Sequence, residues 1–267
     1  MTTVYVDPIL AASMLALGKL VSPGPGKWSA SSPEQEEFLG KLGALTETIA
    51  MLPDYFYAAA AKSAGPVNAF LASHGFAGNL REAGPRSLYA AAVLDLLVEW
   101  VTPGSAVQLA LLDGRLAPGV RLKKGHFRVD GRVLSPEVKP GPIYVRMCES
   151  VTLDEGLAII AGTIYVAPNW DYGAATFPMV SLDVDVDASK MIGLRNGDWT
   201  VDQAFARAKL RLDPKGAHAQ AAAAMAATRG IVKTFKIAGP FTIAFVTGDG
   251  QVAIAYHVTE EHFSAPA

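Results

Sequence analysis

An α+β fold is predicted for this chain because helix-spaced apolar residues dominate its first hundred positions, strand-like runs dominate the rest, and an Asp-Gly hairpin sits near its end. From Pro8 to Leu20, the residues Ile9, Met14, Leu17 and Leu20 fall at helical spacing, with Asp7 as N-cap and Pro8 at the first helical position. A Pro/Gly/Ser segment over 22–32 leads through Ser32 and Pro33 to a second helix carrying Phe38, Leu42 and Leu45. Gly-Pro pairs at 65–66 and 84–85 bracket further helical material. Leu88, Ala91, Leu94, Val98 and Val101 share one face of a helix expected from Ser87 to Val101. After Thr102-Pro103-Gly104 the character changes: runs at 107–112, 143–147, 157–166 and 180–186, rich in Val, Ile, Leu and Tyr, read as strands. The segments 241–246 and 252–258 flank Thr247-Gly-Asp-Gly-Gln251, a hairpin with Asp-Gly turn chemistry. The chain reads as a single domain over 1–267, mainly helical over 1–101 and mainly β over 102–267.

Composition narrows the function classes. With 267 residues, 51% hydrophobic and 18% charged at a formal net charge of -2, the chain can bury a sizeable core and carries no electrostatic footprint for nucleic acid. Cys148 is the only cysteine, so an intramolecular disulfide and a cysteine-based metal cluster are excluded, and it reads as a buried small hydrophobe. No basic leader precedes an apolar run at the start, which suits a cytoplasmic chain or a mature secreted form. The longest apolar stretch, around Leu88 to Val98, is interrupted by Asp95 and is too short to span a bilayer, so no membrane partner is expected.

Chemistry-bearing patterns are sparse. His74, His126, His218, His257 and His262 are scattered, with no HExxH spacing and no Gly-x-Ser-x-Gly elbow. Asp183, Asp185 and Asp187 alternate with Val184 and Val186, which gives a strand with one solvated acidic face rather than a calcium loop, since neither a Gly turn nor a distal Glu follows. Gly24-Pro25-Gly26-Lys27 lacks the strand and spacing of a phosphate loop and reads as a linker. No metal, no cofactor and no catalytic residue are expected; the chain reads as a monomer and not as an enzyme.

The informative segment is C-terminal. In the stretch 199–216, Ala206, Ala208, Leu210 and Leu212 lie on one strand face, with Arg207, Lys209 and Arg211 on the other. Gly216 follows, then Ala217-His-Ala-Gln220 and an Ala-rich run through Ala227 to Thr228-Arg229-Gly230. By composition alone that run is a helix. A Gly and a small residue followed by Ala-rich sequence after a basic-apolar strand resembles the hinge of the serpin family of serine protease inhibitors. Further on, Lys236-Ile-Ala-Gly-Pro240-Phe241 resembles that family's turn into its closing hairpin. Near the start, Asp7-Pro8-Ile-Leu-Ala-Ala-Ser-Met-Leu resembles its Ser-Pro helix, with Asp in place of Ser. Pro33-Glu34-Gln35 resembles the start of an early helix, and Val98-Glu-Trp100-Val-Thr102 the helix before the shutter region. The chain is shorter than a usual serpin, and Thr163-Ile-Tyr165-Val-Ala-Pro-Asn-Trp170 imitates the shutter motif at a different place.

The resemblance implies a serpin-like domain with a bait loop over 216–240. Gly216, Ala217, Ala219, Ala221 and Ala223 would form the hinge, and Arg229, Gly230 and Ile231 would flank the reactive bond, at either 229–230 or 230–231. The implied function is a suicide substrate, cleaved in its loop and locked by insertion of that loop into a sheet. Arg229 points to a trypsin-like serine protease as partner, because the specificity pocket of such enzymes holds a carboxylate. The alternative is a non-inhibitory serpin-like binding or carrier protein.

Overall fold

The computed structural model describes residues 3–21, 28–78, 80–83, 87–163, 171–204, 206–217 and 233–265. Along the chain run β1 (Thr3–Tyr5), α1 (Asp7–Val21), α2 (Pro33–Ala50), β2 (Phe56–Ala61), α3 (Ala64–Ser73), β3 (Tyr89–Leu94), β4 (Val98–Glu99), β5 (Ser105–Ala110) and β6 (Leu116–Lys123). Then come β7 (Phe127–Asp130), β8 (Val133–Pro136), β9 (Ile143–Glu149), α4 (Leu153–Ala161), β10 (Ala174–Pro178), β11 (Val180–Val186), β12 (Arg195–Asn196) and β13 (Trp199–Thr200). The last elements are β14 (Ala206–Asp213), β15 (Gly216–Ala217), β16 (Thr234–Lys236), β17 (Phe241–Thr247) and β18 (Val252–Val258). The class is α+β.

The chain divides into two compact units, one of residues 1–5, 96–183 and 209–267, the other of residues 6–95 and 184–208. The first unit holds a six-stranded sheet in the order β1-β18-β17-β9-β8-β7 and a four-stranded sheet in the order β16-β10-β6-β5. The hairpin expected at the end is present: β17 pairs with β18, and Gly250 takes φ +89° in the turn, a conformation that a Cβ would strain. Ile243, Phe245 and Ala255 are buried, as both faces of a covered sheet require. Over this sheet lies α4, capped by Thr152, whose hydroxyl accepts the Glu155 N–H at 3.2 Å while a Glu155 carboxylate oxygen accepts the Val151 N–H at 2.7 Å. Cys148 is fully buried there, its thiol pushed up to about 11 by burial, so it packs and does not react.

The second unit holds α1, α2, α3 and the β2–β3 pair. Ser32 caps α2 by accepting the Gln35 N–H at 3.3 Å, and Pro33 fills the first turn, where its missing N–H costs nothing. Gln35 is buried because its side chain accepts the Ser31 N–H at 2.7 Å and donates to the Ile192 carbonyl at 2.6 Å. Asp7 begins α1 and pairs with Lys190.

Two expectations are corrected. The segment from Ser87 to Val101, expected as a helix, contains β3 and β4, and the serpin-like helix read at Val98-Glu99 is strand as well. Tyr89, Ala91 and Val93 are buried and alternate with half-buried Ala90, Ala92 and Leu94, a period of two. Nearly every residue there is apolar, so both periods fit, and pairing with β2 decides. The run at 157–166, expected as a strand, instead belongs to α4 as far as Ala161; residues 164–170, including most of the shutter-like stretch, lie outside the described residues.

Candidate functional site

The site is built on β14. Its buried residues Ala206, Ala208, Leu210 and Leu212 alternate with Arg207, Lys209 and Arg211, as expected. Asp183 and Asp185 on β11, and Asp187 just past its end, are exposed, and cross-strand pairs join Asp183 to Lys209 at 3.9 Å and Asp185 to Arg207 at 3.7 Å. The acidic face of this strand is therefore solvated and paired.

At its C-terminal end β14 turns back through Pro214-Lys215 into β15, whose two residues lie between β14 and β4. Gly216 stands opposite Asp213 and Glu99, and Ala217 opposite Leu212 and Val98, antiparallel on both sides. A side chain at 216 has no room: a Cβ would collide with the Val98 carbonyl oxygen and lie 2.9 Å from the Glu99 Cα. Ala217 is 1% exposed.

The turn is clamped from several directions. The fully buried Asp213 accepts the N–H groups of Lys215 at 2.7 Å and Gly216 at 3.2 Å through one oxygen, while its other oxygen has no partner among the described residues. The buried Trp100 donates its indole N–H to the Asp213 carbonyl at 3.1 Å and its backbone N–H to the Lys215 carbonyl at 2.9 Å, and Gly104 N–H reaches the Pro214 carbonyl at 2.6 Å. Trp100 is held edge-on against Phe177 at 6.2 Å between centroids.

Of the residues expected to form a hinge, Gly216 and Ala217 are thus brought together with β4 and β14. Ala219, Ala221 and Ala223, and the reactive-bond residues Arg229, Gly230 and Ile231, lie outside the described residues. Lys233 leads into β16, which runs parallel to β10. The expected turn at 236–241 is present and is held by Glu149, whose carboxylate accepts the N–H groups of Ala238 at 2.6 Å and Gly239 at 3.2 Å. Nothing in the sequence marked Glu149, Trp100 or Asp213 for these roles, since each acts across the fold.

In the second unit, β3 pairs with β2 and, among the described residues, with no other strand. Just before β3, Ser87 bridges to Thr200 and its hydroxyl donates to Asp202 at 2.5 Å.

The histidines converge on no metal-binding group among the described residues. His257 is buried with Ser150 and Thr242, Ser150 Oγ lying 3.4 Å from its Nδ1 and 2.8 Å from Thr242 Oγ1. Burial holds the His257 pKa below the usual histidine range. The unfolded chain then binds the extra proton more readily, so stability is full above the unfolded value of about 6.5 and is lost as pH falls from there toward the depressed folded value. Urea unfolding at pH 7.5 and 5.0 is expected to show a larger loss for the wild type than for His257→Gln; equal losses would remove His257 from the account.

No family model and no curated protein matches this chain. Solved structures do. Serpin48 of the insect Tenebrio molitor, a highly specific serpin, superposes with TM-score 0.60 at 13% identity over 96% of this chain and 91% of its own. The serpin of Schistosoma mansoni gives 0.62 at 9% over 96% and 95%, and thyroxine-binding globulin in complex with thyroxine 0.58 at 11% over 96% and 92%. The fold is serpin-like.

Proposed function

We propose that the chain is a serine protease inhibitor that acts as a suicide substrate. The observation that carries this reading is the short strand Gly216–Ala217, paired with β14 on one side and with β4 on the other. Continued in the same register, Ala219 would stand opposite Leu210, Ala221 opposite Ala208 and Ala223 opposite Ala206, all on the buried face. His218 and Gln220 would face outward beside Arg211 and Lys209. Small side chains would then meet the core, and polar ones water.

In this mechanism a trypsin-like protease takes Arg229 in its carboxylate-bearing pocket. Its serine oxygen attacks the Arg229 carbonyl carbon, the C–N bond to Gly230 breaks, and the Gly230 amine leaves with a proton. The ester that remains ties the protease to residue 229. The freed segment 217–229 then adds to β14 as a strand, gaining backbone hydrogen bonds and burying its alanines before water can cleave the ester.

A second reading, a non-inhibitory binding or carrier protein, is favoured by the likeness to thyroxine-binding globulin. One experiment separates the two. Incubation with trypsin-like proteases is expected to give an SDS-resistant complex, and cleavage within 217–231 to raise Tm by more than 10 °C, equivalent to several kcal/mol for a chain of this size (about 2–4 °C per kcal/mol). Clean cleavage with unchanged Tm and no complex would establish the carrier reading instead.

A further inference from the structure

We propose a binding site for a small amphipathic carboxylate, such as a medium-chain fatty acid, in a cavity of about 520 Å³ walled by α1, α2 and β2. This inference is independent of the inhibitor reading, because all the lining residues belong to the second unit and none to the hinge.

The cavity follows from how the sequence is laid on these elements. Helix α1 turns two apolar faces in different directions. Leu10, Met14 and Leu17 are fully buried, while Ala12, Ala16 and Lys19 fall on a second stripe that lines the cavity. Across from them, β2 presents Phe56, Ala58 and Ala60, one face of a strand at period two; its other face contributes Ala61 to the core around Val67, Leu71 and Tyr89. Four of the nine lining side chains are alanines, where leucines would have filled the space, and eight of the nine are apolar. The volume lies within the usual range for small-molecule sites, about 300–1,000 Å³.

Lys19 supplies the polarity. Among the described residues it is the only charged one in the lining and makes no ion pair, and it is exposed. It also stands in the last turn of α1, where the carbonyl ends of the helix repel an anion. A ligand with an alkyl body and a carboxylate head would place the body against Ala16, Ala58 and Phe56 and the head at Lys19, whose ammonium offsets the helix end. A cationic amphiphile would be repelled by Lys19 and would meet no carboxylate among the described lining residues, and is disfavoured.

The test is isothermal titration of the full chain with decanoate, decan-1-ol and decyltrimethylammonium, each below its aggregation concentration. Decanoate is expected to bind at one site per chain with Kd on the order of 10–100 μM, and at least threefold more tightly than decanol, the scale of one exposed charge contact. Lys19→Gln should erase the preference for decanoate over decanol while leaving decanol binding within twofold. Ala16→Trp should abolish binding of both; Ala60→Phe, on the strand wall, serves the same purpose if the helix variant does not fold. Unsaturable uptake, equal binding of decanoate and decanol by the wild type, or binding untouched by the filled variants would each overturn the proposal.

Discussion

Under the proposed inhibitor mechanism, Ala217→Arg is expected to yield a substrate only: protease cleaves the loop, no SDS-resistant complex forms, and cleaved protein gains no thermal stability. Ala217 is 1% exposed between Leu212 and Val98, so a guanidinium there is either buried without a partner, at a cost of about 3–5 kcal/mol, or forces the short strand out. The few backbone hydrogen bonds of two residues, at about 1 kcal/mol each, are at most comparable to that cost and leave no surplus to hold the strand in place. Gly216→Val should act in the same direction for a different reason, since its Cβ collides with the backbone of Val98 whatever the rotamer. Complex yield is measured by gel against a trypsin-like protease, and a drop of at least tenfold is expected for both variants. If Ala217→Arg leaves the yield unaltered, the strand between β14 and β4 does not take part in trapping.

Gly156→Ala is expected to destabilise by about 2 kcal/mol or more, the range of an overpacked core. In a free helix the same change would stabilise by about 1 kcal/mol, because alanine has the highest helix propensity. Here a Cβ would strike Thr242, colliding with its hydroxyl oxygen and Cβ and lying 2.9 Å from its Cγ2, all on β17 beneath α4. Thr242 cannot step aside without releasing Ser150, 2.8 Å from its hydroxyl. Gly40→Ala in α2 is the control: nothing lies within 4 Å of its added Cβ, and it should stabilise. Tm is expected to fall by roughly 4–8 °C for the first variant and to rise by a few degrees for the second.

These residues also show where sequence reading reached and where it stopped. β14 and the β17–β18 hairpin were legible because each carries a local signal: alternation in one, Asp-Gly turn chemistry in the other. β3 was not, since an apolar run satisfies both periods and its partner β2 lies about thirty residues away in sequence. The error over α4 had a remedy in plain view: Thr152-Leu-Asp-Glu155 is a capping box and marks a helix start. At the candidate site, resemblance singled out Gly216 and Ala217, and they form the short strand between β14 and β4. The Trp100, Asp213 and Glu149 clamps were not legible, because a tryptophan or carboxylate that caps a distant turn carries no pattern of its own.

The six-stranded sheet also bears on how the protein comes to be made. Its two innermost partners of β9 and β1 are supplied by residues 241–258, and Thr3 pairs with His257. During synthesis β1 and β9 leave the ribosome long before the strands that complete them, so their edges wait unpaired while everything between is translated. Contacts so distant in sequence form slowly, because the loop entropy of the whole chain must be overcome before any reward is gathered. The sheet therefore closes late, and until residues 241–258 are made β9 presents one edge without its partner strand.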